Sequence, residues 1–184
     1  MKQVEMSYEE LEKQMIEELS KLGTEGLYQR GILATSVNDY VTARRMRIIP
    51  DGLTLYGVTD RGLRKAQQIM ANPNVAVVVG FVQIEGTASL KGHPFDESEY
   101  IKAYKKTIPE TYEQWRAGSN VTRERDMVVI EIVPKRISLW RYADPSSGIE
   151  RGLYILNVEK RQAHKTTDAI SINSDPNDAP AYLV

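Results

Sequence analysis

The sequence predicts an α+β fold built on a mostly antiparallel sheet that closes or nearly closes into a barrel. Three observations lead there. Six or more strand-like segments are joined in places by turns too short for parallel crossovers. Only a few helix-like segments lie among them, without βαβ alternation. Strands this short, with turns this tight, lose their exposed edges most simply by closing into a barrel. The 184 residues, 41% of them apolar and 27% charged, suffice for a single domain with a sizeable core.

The spacing of Leu11, Met15, Leu19 and Leu22 predicts an amphipathic helix over residues 7 to 22, with Ser7 and Glu10 at capping-box spacing and Gly23 as its stop. The apolar run from Gly31 to Val37 reads as a strand. Asn38-Asp39 reads as a turn, and Tyr40 to Ile49 as the returning strand. Pro50-Asp51-Gly52 is a second turn signal, since Pro fixes φ and Gly accepts positive φ, and Leu53 to Thr59 follows as a third strand paired beside the others. Asp60 has the chemistry of an N-cap for a short helix with Leu63, Ala66, Ile69 and Met70 on its apolar face, ended at Asn72-Pro73.

Asn74 to Phe81 is continuously apolar, which predicts a strand covered on both faces. Val82 to Leu90 alternates instead, with Gly86 on the apolar side, where a bulge or a close backbone approach is expected. Residues 96 to 117 read as one or two helices split near Pro109. Strand signals return at Met127 to Val133, Arg136 to Tyr142 and Gly152 to Val158. The barrel is thus expected over about residues 25–158. From Lys165 the sequence turns polar, and a loosely ordered tail, or one packed on a partner chain, is expected over 165–184.

The absence of cysteine excludes a disulfide scaffold, a thiolate metal site and a cysteine nucleophile. A net charge of -1 argues against a general nucleic-acid binder. No apolar run approaches the roughly 20 residues of a membrane span. The acidic, polar N-terminal segment does not read as a secretory signal, so a soluble cytoplasmic protein is expected. Dinucleotide and P-loop phosphate cradles, HExxH and GxSxG are all missing, and the two histidines, His93 and His164, lie far apart, so no metal site is expected.

Two basic clusters carry what chemistry the sequence offers. In Arg44-Arg45-Met46-Arg47, strand alternation sends Arg44 to one face and Arg45 and Arg47 to the other. An arginine turned toward the core or an opposing protomer needs an anionic partner. The alternative is that all three are solvated or paired with Asp and Glu. In Arg64-Lys65, two cations fall in the first turn of a helix, against the macrodipole, at a cost of roughly 0.3–1 kcal/mol each. Free N–H groups, the positive dipole end and two cations together make a phosphate site, to which Thr59 adds a hydroxyl. The competing reading is a chance placement with Asp60 offsetting the dipole. Apolar barrel strands around such a site would suit a phosphorylated aromatic ligand.

GILATS, YVTARRM, PDGLTLYGVTDRGLRKAQQIMANPNVAVVV and VQIEGTASL, in this order, resemble the FMN-binding split-barrel family related to pyridoxamine 5'-phosphate oxidase. The likeness covers roughly residues 25 to 142 and is most specific from Thr59 to Val75. It implies a six-stranded antiparallel split barrel acting as a homodimer, with FMN at the subunit interface. It implies that Arg64 and Lys65 are the phosphate-binding pair, that Thr59 is the strand-end threonine with Val58 beside it, and that Arg44, Arg45 and Met46 lie on the strand running along the flavin, with Arg44 on the phosphate. It further implies a ring-edge contact for Gln83. Trp140 becomes either a neighbour of the partner's flavin or a core residue.

Departures from the oxidase branch are equally legible. Ile49 stands where that branch has lysine, Val58 stands where it has tyrosine, and GIERGLYILNVEKRQ lacks its C-terminal substrate-binding arginine segment. The resemblance therefore implies an FMN-dependent oxidoreductase acting on a small molecule, with a nicotinamide donor, more than it implies pyridoxamine phosphate oxidation. A flavin-binding or sensing protein without efficient turnover, and a haem or deazaflavin binder of the same fold, are the alternatives.

Overall fold

The computed structural model describes residues 3–21, 30–117, 126–143, 146 and 150–166. Over these residues it is α+β, with ten strands in one antiparallel sheet and four helices. In chain order the elements are β1 (Gln3–Met6), α1 (Tyr8–Lys21), β2 (Arg30–Val37), β3 (Tyr40–Arg47), β4 (Ile49–Asp51), β5 (Thr54–Asp60), α2 (Arg64–Ala71), β6 (Asn74–Val79) and β7 (Val82–Leu90). They continue with α3 (Ser98–Thr107), α4 (Pro109–Ala117), β8 (Met127–Arg141), β9 (Gly152–Asn157) and β10 (Gln162–Thr166). The strand order is β1-β10-β9-β8-β7-β6-β2-β3, and β5 pairs with β4 and β8. The sheet is not closed by a ladder between β3 and β5, so the architecture is that of a split barrel.

The first helix forms as its periodicity dictates, and the Glu10 amide donates to Ser7 Oγ at 3.3 Å. Leu11, Met15 and Leu19 are fully buried in one cluster with Leu33, Val77, Ile84, Ile130, Ile137 and Leu156, so α1 supplies part of the barrel core. Gly23 and the rest of the predicted helix end lie outside the described residues. The turn at Asn38-Asp39 takes φ of 48° and 62°, the twist that a tight hairpin between β2 and β3 requires.

Several expectations are corrected. The strand read over Tyr40 to Ile49 breaks at Ile48. Its end becomes β4, Pro50 lies in that strand, and the turn moves to Gly52, at φ 61°. The third strand therefore pairs with β4 and β8 and not with β3, because the chain bends before the hairpin starts. Asn74 to Phe81 is covered on one face only: Val75, Val77 and Val79 are buried, whereas Val78 and Phe81 are exposed. The two late strand signals are one 15-residue strand, β8, running through Pro134. Lys165 does not begin a tail. Lys165 and Thr166 are buried in β10, against β9 and β1, and the residues beyond them lie outside the described set.

The helical break at Pro109 separates α3 from α4 as expected. Both pack over β4 and β5 in a second, aromatic cluster of Tyr56, Tyr100, Tyr104 and Tyr112 with Ile49, Ala103 and Val129. The two clusters use opposite faces of β5. Leu55 belongs to the barrel core, and Tyr56 to the aromatic cluster.

The bulge expected near Gly86 lies between Glu85 and Gly86, where the register on β8 skips from Arg136 to Pro134. A Cβ at Gly86 would fall inside contact distance of the Val133 carbonyl oxygen, on backbone held in the β7–β8 ladder. Gly86→Ala should lower unfolding stability by about 1–3 kcal/mol, read as a shift in denaturation midpoint. An unchanged midpoint would show that the bulge relaxes freely.

Candidate anion-binding site

Helix α2 begins against the expected cap. Asp60 is the last residue of β5, and the N-cap position belongs to Leu63, which has extended backbone (φ -76°, ψ 149°) and makes no side-chain cap hydrogen bond. The first turn carries no acid, and it begins with Arg64 and Lys65. An uncapped amino end with two cations is what a stability-driven sequence avoids, since the macrodipole is already positive there. The helix packs through Ala66, Gln68 and Ile69, while Leu63 and Met70, expected on the apolar face, are exposed.

Arg44 comes from the facing side of the sheet. Its register partner is Leu33, which puts its side chain on the core face of β3, beneath α2. The guanidinium donates to the Leu33 carbonyl at 3.1 Å, to Thr35 Oγ1 at 2.6 Å, to Gln68 Oε1 at 3.2 Å and to Thr42 Oγ1. All of these acceptors are neutral. Lys65 donates to the buried Thr59 hydroxyl at 3.0 Å, and the Arg64 guanidinium lies 4.7 Å from the ring centroid of Tyr40, a cation–π contact that holds it without neutralising it. Among the described residues no carboxylate forms an ion pair with Arg44, Arg64 or Lys65.

The electrostatics follow. Burial, and then the charge of Arg64, hold the Arg44 guanidinium below the usual arginine range. Burial, and then the charge of Arg44, hold the Lys65 ammonium below the usual lysine value, opposed by Asp60. Each cation is less comfortable charged than it would be in water, and each would be relieved by an anion. A phosphate fits the donor set: two guanidinium groups, an ammonium, a hydroxyl and open helix amides.

Gln68 was not among the residues the sequence singled out. It is 2% exposed, and its Oε1 accepts from Thr35 at 2.7 Å and Thr42 at 2.8 Å as well as from Arg44. The available signal was its spacing, four after Arg64 and three after Lys65, on the same helical face.

The other candidates are not in this cluster. Val58 alternates with Thr59 and packs against the aromatic cluster. Met46 packs against the barrel core at the rim, with its Cε close to Gly57. Arg45, Ile32, Val78, Gln83 and Ser138 form one row on the outer face, across β3, β2, β6, β7 and β8. Trp140, two residues beyond Ser138, shares that face and is half-buried, so it does not belong to the core. Gln83 is exposed and donates to Glu85 at 3.2 Å. No cluster of three or more His, Asp or Glu suited to a metal occurs among the described residues, and no helix there is long and apolar enough to cross a membrane.

The family model for pyridoxamine 5'-phosphate oxidase matches residues 28–141, more than half the chain, and spans β2 to β8 with α2 among them. The chain belongs to the pyridoxamine 5'-phosphate oxidase family. General stress protein 26 of Bacillus subtilis (strain 168) is 30% identical over 118 residues, covering 59% of this chain and 77% of that protein. A solved putative pyridoxamine 5'-phosphate oxidase from Listeria innocua is 29% identical, with a TM-score of 0.54, covering 70% of this chain and 97% of that one. PhzG from Burkholderia lata 383, solved in complex with tetrahydrophenazine-1-carboxylic acid, shares the fold at 12% identity, with a TM-score of 0.55 over 88% of this chain and 92% of that one.

The depressed lysine sets a sign. With a folded-state value below the unfolded one, the folded ligand-free protein binds fewer protons in that window, so its stability rises with pH there. Lys65→Met should therefore raise the melting temperature of ligand-free protein at neutral pH, while inorganic phosphate stabilises the variant less than the parent. Equal stabilisation by phosphate would remove Lys65 from the site.

Proposed function

We propose that this chain binds FMN by its phosphate at Arg44, Thr59, Arg64 and Lys65 and acts as a flavin-dependent oxidoreductase on a small molecule. The observation that carries the reading is the set of three cations at the uncapped start of α2, with no carboxylate ion-paired to them among the described residues and only Asp60 partly offsetting Lys65. Membership of the family supports it. When bound, FMN supplies hydride or single-electron transfer. The chain's own part is to anchor, orient and shield: Arg44, fixed by Gln68, Thr35 and Thr42, and Lys65, fixed by Thr59, meet the phosphate in preset positions.

The homodimer belongs to the same proposal. Ile32, at 47% exposure, and Val78, at 40%, lie on the outer face with Arg45, Gln83 and Trp140. A second copy covering that face would bury these apolar groups and bring the three residues toward a flavin held at the interface. The departures at Ile49 and Val58 favour a substrate other than pyridoxamine phosphate, and a nicotinamide donor supplies the electrons.

Purified protein should be yellow, with flavin absorption bands, and should release FMN by mass. A haem Soret band or a deazaflavin mass would replace the reading. Two charge-assisted hydrogen bonds at roughly 1.5–3 kcal/mol each mean that Arg64→Ala with Lys65→Ala should weaken FMN at least about a hundredfold, with circular dichroism unchanged. Undiminished FMN affinity in that double variant defeats the phosphate assignment. Flavin that NADH and NADPH leave oxidised would favour a binding or sensing role.

A further inference from the structure

Helix α2 is tied to the β2–β3 hairpin by one polar stripe. Arg64, Gln68 and Asn72 follow one another at intervals of four, which places them on one helical face. The Arg64 guanidinium lies over the Tyr40 ring, and Asn72, which closes α2, donates from Nδ2 to Ser36 Oγ at 3.0 Å. Gln68 stands between them, buried along with Ala66 and Ile69. Its Nε2 donates to the Tyr40 carbonyl at 3.5 Å. A fully buried glutamine is an uncommon choice for packing a helix on a sheet.

The hydrogen atoms around Gln68 can be placed by elimination. A guanidinium has five N–H donors and no acceptor. Nη1 of Arg44 gives its two hydrogens to the Leu33 carbonyl and to Thr35 Oγ1. Nη2 gives its two to Thr42 Oγ1 and to Gln68 Oε1. Each threonine oxygen thus accepts from Arg44, so its own single proton runs onward, and both protons end on Gln68 Oε1, at 2.7 and 2.8 Å. The same logic orients the amide, because its amino end could accept from none of these donors.

Oε1 therefore closes two chains of hydrogen bonds, one through Thr35 and one through Thr42, and both begin at Arg44. The planar fork is held at both Nη atoms, and every acceptor that holds it is neutral. Among the described residues only the Nε hydrogen of Arg44 has no bond.

We propose that Gln68 is the positioning residue of the anion site: by ending both chains on a neutral oxygen it fixes the Arg44 guanidinium and leaves it charged, with Nε–H as the hydrogen offered to a phosphate. This role rests on the anion site of the reading above, and not on the anion's belonging to a flavin.

Inorganic phosphate is the probe, titrated by calorimetry into the ligand-free full chain, with proton–nitrogen NMR spectra of the guanidinium groups recorded alongside. The parent should show separate Nη signals for Arg44, assigned by their loss in Arg44→Lys. Gln68→Met, of similar length without a polar end, should merge those signals into the averaged line of a turning guanidinium and weaken phosphate at least about tenfold. Gln68→Glu should keep the Nη signals separate, since a carboxylate also ends both chains. It should nonetheless weaken phosphate at least about tenfold, by neutralising Arg44, with no fall in melting temperature. Gln68→Glu also decides the matter if Gln68→Met fails to fold. A glutamine with a purely structural role would instead let affinity follow melting temperature in both variants, and that outcome overturns the proposal. So does undiminished phosphate affinity in Gln68→Glu, or separate Nη signals in a folded Gln68→Met. Phosphate that fails to bind the parent overturns the anion site and this role with it. Because the probe is phosphate, a protein that retains no flavin still passes or fails each measurement.

Discussion

Positive charge at the start of α2, offset only in part by Asp60, is the constraint around which the rest of this fold is arranged. Three cations from two elements meet there, and partial burial, then their mutual repulsion, lowers the proton affinity of two of them. Neutral oxygens do the holding. Thr35, Thr42, Gln68 and the Leu33 carbonyl orient Arg44, and Thr59 orients Lys65. A carboxylate in any of these positions would neutralise the cluster; neutral oxygens orient the cations and leave their charge in place.

The sheet makes that arrangement possible. Register between β2 and β3 sets Arg44 opposite Leu33 and Thr42 opposite Thr35, so the polar network is a consequence of strand pairing. Leu33, Val77, Ile84 and Ile137 continue the Arg44 row into the core, which fixes the arginine at the lip of a rigid surface. The bend at Ile48 then turns the chain from β3 into the β4–β5 hairpin, so that Thr59 arrives beside Lys65.

Much of this was legible, for identifiable reasons. Arg64 and Lys65 stand out because cations in a first turn oppose the dipole, and no packing demand explains them. The bulge at Gly86 could be read because a glycine on an apolar strand face has few other uses. Gln68 escaped notice since glutamine is ordinarily a surface residue, and only the tertiary meeting of α2 with β2 makes it a hub. The continuity of β8 was hidden by Pro134, which the bulge accommodates at a position where an ordinary ladder would reject it. The Asn74–Val79 run looked doubly covered because apolarity alone does not tell a face covered by a neighbouring element from one left exposed.

One feature of the topology bears on how the molecule is made. Gln3 is paired with Thr166, so an edge of the sheet joins residues from opposite extremes of the described chain. During vectorial synthesis β1 emerges first and waits for β10, the last described strand, to leave the ribosome. That long-range closure has a high loop entropy and belongs to the late steps of folding, after the local hairpins have formed. Until then the amino-terminal segment has no ladder, and α1, which packs on β9 and β10, waits for the same strands.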